Sequence, residues 1–154
     1  MLFRKTEEKA DKFWQNFEEK TGERILVHSL GQYISGWDEF DRRKWKDLWG
    51  LVIVTSAGIR FHHFPQRSLF DSLTSLTGNE LSREKTFFIP KENYVSVTLI
   101  KETKWWKKIY KNAHPRMIIR YLGGEENEGQ LLMELPFETD EFYSKFLDIT
   151  CLWK

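Results

Sequence analysis

The chain has 154 residues, a length that suits one domain built around one hydrophobic core. Hydrophobic residues make up 40% and charged residues 31%, and the aromatic share of 16% includes seven Trp and twelve Phe, so the composition is that of a folded globular protein. The formal net charge of +1 argues against a dedicated nucleic-acid-binding protein, because such proteins carry a basic excess. No apolar stretch approaches about 18 residues, and Cys151 is a lone cysteine. We therefore expect a cytoplasmic protein with no secretory signal, no transmembrane segment and no internal disulfide.

Residues 5–20 predict an amphipathic helix. Phe13, Trp14 and Phe17 recur at helical spacing, and Gly22 stands where a helix commonly ends in the left-handed conformation. The opposite face mixes acids and lysines, which is typical of a solvated surface.

Seven short runs follow, rich in β-branched and aromatic residues and separated by Gly, Pro and Asn, as in a meander of antiparallel strands. They occupy residues 23–35, 48–56, 58–64, 86–90, 93–101, 116–122 and 130–137. Ser56-Ala57-Gly58 predicts a tight hairpin between the second and third strands. The insertion at 65–85 carries leucines at helical spacing, which favours packing against the strands over contact with a ligand.

A second amphipathic helix is predicted at the end of the chain. Thr139 is a suitable N-cap, and two acids follow it in the first turn. Apolar residues then recur at helical spacing: Phe142, Phe146, Ile149 and Trp153. The chain therefore reads as one helix, seven antiparallel strands and one helix.

Two segments resemble those of a known family. GLVIVTSAGIRF at 50–61 is similar to the second and third strands of GRAM-type and bacterial pleckstrin-homology domains. FFIPKENYVSVTLIKE at 87–102 is similar to their signature of Ile-Pro, a polar turn and a hydrophobic strand, with Ile89-Pro90 in place. The resemblance extends over residues 23–150.

The resemblance implies a mainly β fold of the pleckstrin-homology-like class: a bent, antiparallel, seven-stranded barrel or sandwich capped by the C-terminal helix. Residues 1–154 would form a single domain, with the N-terminal helix in residues 1–22 and the pleckstrin-homology-like part in residues 23–154. The family is diverse, so the resemblance implies a binding module without identifying its ligand.

Metal binding and catalysis find little support in the residue pattern. His62 and His63 are adjacent on a strand and point to opposite faces, so they cannot hold one ion together, and we expect half-buried polar strand residues. The sequence has no Gly-x-Ser-x-Gly elbow, no Gly-rich phosphate loop before a helix and no Cys with a His partner. The acids Asp38, Glu39 and Asp41 lie in a mixed-charge loop, where solvation is the ordinary explanation. We expect no catalytic residue, no metal and no cofactor.

The loop joining the first two strands, residues 36–47, is where pleckstrin-homology domains that bind phosphoinositides carry their basic residues. The corresponding residues here are the secondary candidates: Arg42, Arg43, Lys44 and Lys46. Four acids offset these four cations, so the loop sums to zero (4 minus 4), which argues against a strong headgroup site. We expect Trp37, Phe40 and Trp45 to fold back onto the rim of the barrel.

Residues 101–116 are the one marked electrostatic feature. They carry six cations and one acid, or +5 (6 minus 1), in a chain whose total is +1. The candidate binding residues are Lys101, Lys104, Trp105, Trp106, Lys107, Lys108, Tyr110 and Lys111. Two interpretations place the aromatic residues on a surface, either to dock a protein or a second copy, or to bind anionic membranes with about 1 kcal/mol per lysine.

The third interpretation extends the two flanking strands into a long hairpin, so that Trp105 or Trp106 packs against the N-terminal helix. We favour it for at least one of the two indoles, because large aromatic side chains are mostly buried. The lysines at 104, 107, 108 and 111 are expected to be exposed in every case, because burial of unpaired ammonium groups is costly. For function we favour protein interaction or self-association, with peripheral attachment to anionic membranes as the alternative.

Overall fold

The structure, a computed structural model, describes residues 2–41, 48–63, 86–101, 104, 106, 114–136 and 139–153. Its helices are α1 (Leu2–Thr21), the short α2 (Asp38–Asp41) and α3 (Thr139–Thr150). Its strands are β1 (Ile25–Ser35), β2 (Leu48–Thr55), β3 (Gly58–His63), β4 (Thr86–Pro90), β5 (Tyr94–Ile100), β6 (Arg116–Leu122) and β7 (Glu128–Glu134). Short 3₁₀ turns occupy Lys91–Asn93, Gly124–Glu126 and Cys151–Trp153. The insertion at 65–85 lies outside the described residues.

The seven strands form one antiparallel sheet in the order β4-β3-β2-β1-β7-β6-β5. The sheet is not closed, since β4 and β5 are its two edges among the strands that the structure describes. β1 joins the two halves: it pairs with β2 from Ile25 to Tyr33, and with β7 only between Gln32 and Ser35. The predicted fold class is confirmed as a mainly β chain with seven antiparallel strands, an N-terminal helix and a C-terminal helix.

One core lies on the inner face of the sheet. Alternate residues of β2, β3 and β4 meet alternate residues of β6 and β7 in a single apolar cluster, so both halves of the sheet surround the same interior. α3 closes this interior with Phe142 and Phe146, both of which are buried. Its first residue is fixed because the Thr139 hydroxyl donates to the Leu135 carbonyl at 2.7 Å. Leu131 and Met133 of β7, and Leu135 just after it, are buried in the same core.

The outer face of the β1–β3 half is covered by α1. Phe13 is buried against Leu51 and Ile53, with Trp14 and Phe17 packed around them. The aromatic spacing of the sequence thus becomes one face of the helix, and that face forms a second, smaller apolar cluster. The helix ends at a glycine of positive φ (+68°), residue 22, as the sequence predicts.

Candidate functional site

The end of the β5–β6 hairpin displays apolar side chains to solvent. Strand pairing stops at Ile100 opposite Arg116, and Ile100 is 49% exposed. Beyond that point Trp106 is 46% exposed and has helical backbone, so the flanking strand does not continue through it. Lys104 is exposed, with its Nζ 5.9 Å from the centre of the Trp106 ring. These four residues, together with Lys101, are called the hairpin end below.

Two cations near the hairpin end already have acidic partners. Lys101 forms an ion pair with Asp140 at the start of α3. Arg116 Nε donates to Glu134 Oε1 at 3.1 Å across the β6–β7 pair. Both pairs involve well-exposed cations, so each contributes at most about 1 kcal/mol to folding. The sequence count of +5 therefore overstates the charge that the hairpin end offers to a ligand.

The sequence candidates at 101–116 are only partly described. Lys104 is exposed, as predicted, Lys101 is exposed as well, and Trp106 is half exposed. The other candidates lie outside the described residues: Trp105, Lys107, Lys108, Tyr110 and Lys111. The prediction that at least one of the two indoles belongs to the core does not hold for Trp106 and stays a prediction for its neighbour.

The start of the β1–β2 loop is fixed on the core. The Asp41 carboxylate accepts hydrogen bonds from the Tyr33 hydroxyl at 2.7 Å and from the Gly36 amide at 3.0 Å. The Trp37 amide donates to the Tyr33 hydroxyl at 2.6 Å, and the Tyr121 hydroxyl donates to the Gly36 carbonyl at 2.7 Å. Burial, followed by the hydrogen bond to Asp41, raises the pKa of Tyr33, so its phenol remains protonated at ordinary pH.

Aromatic packing fixes the same loop from the other side. Trp37 stacks on Phe87 with ring centroids 4.8 Å apart, and Phe40 is 4% exposed in the core. Trp37 and Phe40 fold back against the sheet, as predicted, but Phe40 lies inside the core rather than on the rim, and Trp45 is outside the described part. The secondary candidates also lie outside it: Arg42, Arg43, Lys44 and Lys46. Asp41, expected to be only solvated, is instead the group that holds the loop, and no sequence signal marked it.

The two adjacent histidines face opposite sides of the sheet, as predicted, but they are not half-buried. His62 lies against Phe13 on the outer face, and His63 Nδ1 is 2.9 Å from the Trp49 carbonyl oxygen. Their exposed fractions are 5% and 6%. Phe13 of α1 covers His62, whereas His63 shares the inner face of β3 with the core residue Phe61. Burial, together with the neighbouring His63 and Arg60, lowers the pKa of His62 to about 4.

A buried ion pair that the sequence did not indicate joins α1 to the sheet. Glu23, just after α1, is 9% exposed, and its carboxylate accepts from Arg60 Nε at 2.8 Å and Nη2 at 2.5 Å. The Thr55 hydroxyl donates to the same carboxylate at 2.8 Å. The guanidinium of Arg60 lies 4.1 Å from the centre of the Phe88 ring. These contacts give both oxygens of the carboxylate a partner, and they join the end of α1 to β2 and β3.

No protein-family model matches the sequence, and no curated protein matches it either. Among solved structures, the chain is similar to the hSac2 domain from human phosphoinositide phosphatase Sac2. The identity is 12% and the TM-score 0.51, over 94% of this chain and 81% of that chain. At this identity the likeness shows the fold alone.

None of the helices that the structure describes is long and apolar enough to cross a membrane. In the same part of the chain, no group of three or more His, Cys, Asp or Glu side chains is arranged to hold a metal ion.

Proposed function

We propose that this chain is a non-catalytic binding module of the pleckstrin-homology-like class, and that it docks a protein partner or a second copy of itself through the hairpin end. The observation that carries the proposal is the exposure of Ile100 and Trp106 beside the exposed Lys104. Tryptophan is the residue most enriched among interface anchors, and a flanking cation adds specificity at the edge of such a patch. A half-exposed indole has apolar surface that a partner can still remove from water.

The buried chemical groups support a binding role over a catalytic one. The carboxylate of Glu23 is occupied by Arg60 and Thr55, and the ring of His63 lies against the Trp49 carbonyl. Large aromatic side chains fill the interior of the sheet, where an enclosed substrate would otherwise sit. A catalytic centre would instead require polar groups converging on an accessible cavity.

Attachment to anionic membranes is the second candidate, and the excess of cations over residues 101–116 favours it, although Lys101 and Arg116 are paired with acids. An interfacial Trp beside lysines suits the headgroup layer of a bilayer. The similar solved domain belongs to a phosphoinositide phosphatase, which makes vesicles containing phosphoinositide a suitable probe beside vesicles of phosphatidylserine. Exposed lysines would supply weak, reversible, salt-sensitive attachment.

The test is truncation of the indole by Trp106→Ala, with Leu152→Ala as the matched control. Leu152 is 83% exposed at the far end of α3, so its truncation also removes exposed apolar surface without touching the hairpin end. Light scattering across a concentration series and affinity capture of partners measure protein association. We expect Trp106→Ala to lose association while its free energy of unfolding changes by less than about 1 kcal/mol, and Leu152→Ala to keep both.

Vesicle pelleting separates the two candidates. Replacement of the lysines at 104, 107, 108 and 111 by Glu abolishes pelleting with anionic vesicles if the membrane is the ligand, and leaves the thermal midpoint nearly unchanged. Pelleting by the wild type that persists at high salt would contradict the membrane candidate. Loss of several kcal/mol of stability in Trp106→Ala would mark the indole as core and contradict the interaction proposal.

A further inference from the structure

The first half of β1 has an unpaired edge. β1 is hydrogen-bonded to β2 from Ile25 onward, but β7 joins its other side only at Gln32. After a bulge between Ile25 and Val27, residues 27–30 therefore have a strand neighbour on one side only, within the part of the chain that the structure describes. Backbone groups on such an edge can pair with an added strand.

Two open grooves run along this edge and meet at Val27 and His28. The larger, of about 430 Å³, lies between the edge and α1, where Trp14 forms its wall. The smaller, of about 60 Å³, lies between the edge and α3, where Phe142 forms its wall. Both are lined by Val27 and His28, and together they are called the β1 groove below. α3 contacts β1 beside the smaller groove, so within the described part of the chain the space for an added strand lies on the α1 side.

The wall made by α1 combines an aromatic ring with carboxylates. Trp14 stacks on His28 with ring centroids 4.2 Å apart, which fixes the indole in place. Asp11 and Glu18 line the same groove one helical turn before and after Trp14. The Glu18 carboxylate accepts from the Ile25 amide at 3.0 Å, so it is held beside the edge. Asp11 is exposed.

The β1 groove is acidic although the whole chain is slightly basic. Its lining carries Asp11, Glu18 and Glu141 against Lys145, or −2 (1 minus 3). Lys145 is itself bonded to Glu141 at 2.9 Å on the α3 side, which leaves the uncompensated negative charge on the α1 side. The remaining residues must then sum to +3, since the chain totals +1. This surface therefore favours a partner that carries positive charge.

We propose that the β1 groove binds an extended, basic segment of a partner protein, which adds to the edge of β1 as an extra strand. Main-chain hydrogen bonds to residues 27–30 would supply affinity, and alternate side chains would supply specificity. A Lys or Arg of the partner would lay its stem along the Trp14 ring and place its charge between Asp11 and Glu18. This surface is separate from the hairpin end and goes beyond the function proposed above.

The test uses the full chain and short labelled peptides, acetylated and amidated, in fluorescence anisotropy. The probe alternates valine and lysine. One control peptide alternates valine and glutamate, and a second is the valine–lysine peptide with alternate backbone nitrogens methylated, which keeps the charge but cannot pair as a strand. Asp11→Lys reverses the charge in the groove. Glu19→Lys makes the same change on the same helix at an exposed position that does not line the groove.

We expect the valine–lysine peptide to bind, and the methylated and glutamate peptides not to bind. Asp11→Lys should weaken binding by about tenfold or more and Glu19→Lys by less than about threefold, because close charges couple most strongly. Equal binding of the methylated peptide, or equal effects of the two variants, would overturn the proposal. A concentration-dependent dimer that Asp11→Lys abolishes would also overturn it, by placing a second copy in the groove. Trp106→Ala should leave peptide binding unchanged, so this outcome is independent of the hairpin end.

Discussion

Replacing Glu23 tests whether the buried ion pair holds the junction between α1 and the sheet. The carboxylate of Glu23 receives hydrogen bonds from Arg60 on β3 and Thr55 on β2, and Arg60 also lies over the Phe88 ring on β4. Glu23→Ala would leave the guanidinium without its counter-charge and remove an acceptor from a hydroxyl that is fully buried. Glu23→Gln keeps the size of the side chain and removes the charge alone.

The expected cost follows from burial. Removing one partner of a buried pair costs about 3–5 kcal/mol, because the other charge is left uncompensated. The side chain of Arg60 keeps 24% exposure and its contact with Phe88, so water and the ring recover part of that loss. We therefore expect Glu23→Ala to lose about 2–4 kcal/mol of unfolding free energy. A double-mutant cycle with Arg60→Met should give a coupling energy of about 1–3 kcal/mol.

The pH dependence provides a second measurement. The hydrogen bond from Arg60 is the largest influence on the pKa of Glu23 and lowers it below the ordinary 4.5, against the opposing effect of burial. Because the folded pKa lies below the unfolded one, this stabilisation is present above about pH 4.5 and is lost as pH falls through the depressed pKa. Urea unfolding followed by Trp fluorescence at pH 7 and at pH 3.5 should show the difference between wild type and Glu23→Gln shrinking on acidification. The reasoning would be refuted by a coupling energy below about 0.5 kcal/mol, or by a stability difference between wild type and Glu23→Gln that is the same at both pH values.

Two other positions give direct predictions. Between pH 6.5 and pH 5 the free energy of unfolding of the wild type should fall by up to about 2 kcal/mol through His62, because burial lowers the pKa of its ring to about 4 and the unfolded chain binds the proton first. In urea unfolding, His62→Gln should therefore show a shallower dependence of stability on pH. A dependence equal to that of the wild type would contradict this. Gly36→Ala should lower the free energy of unfolding by at least about 2 kcal/mol, since the residue has φ +111° and an added Cβ would lie 1.9 Å from the Gln130 carbonyl oxygen. If thermal unfolding gave a free energy within about 0.5 kcal/mol of the wild type, the loop would have to shift to make room for the methyl group.

Local patterns were sufficient to predict the seven strands and the two long helices, but not the short α2. β7 shows the reason: Leu131 and Met133 are two residues apart and fully buried, whereas Leu132 between them is only half-buried, and only one register buries the first two together. The hairpin at Ser56-Ala57 follows equally from its short connection and from the glycine that begins β3. An element can be predicted from the sequence when the residues that determine it lie within a few positions of one another.

Partners distant in sequence were not predictable in this way. Lys101 meets Asp140 across 39 positions, and Arg60 meets Glu23 across 37, because the sheet brings separate strands and helix ends together. Charge counting along a loop cannot detect such pairs, and so it overstated the free charge of residues 101–116. His62 shows the same limit, since its burial depends on where α1 packs rather than on the helix itself.

The position of α1 links the stability of the fold to the β1 groove. Phe13 and Trp14 are neighbours on one helix: the first seals the apolar cluster over His62, while the second forms the wall of the groove. A strand bound against Trp14 would contact α1 and β1 at once, and would therefore favour the docked position of the helix by mass action. Protonation of His62 beneath Phe13 destabilises this docked position of α1, because it places a charge in the buried space under the helix. Acidification should thus weaken binding in the β1 groove both through His62, which the ligand does not touch, and through His28, which lines the groove and whose pKa burial also lowers. Binding at the hairpin end has no such connection to α1.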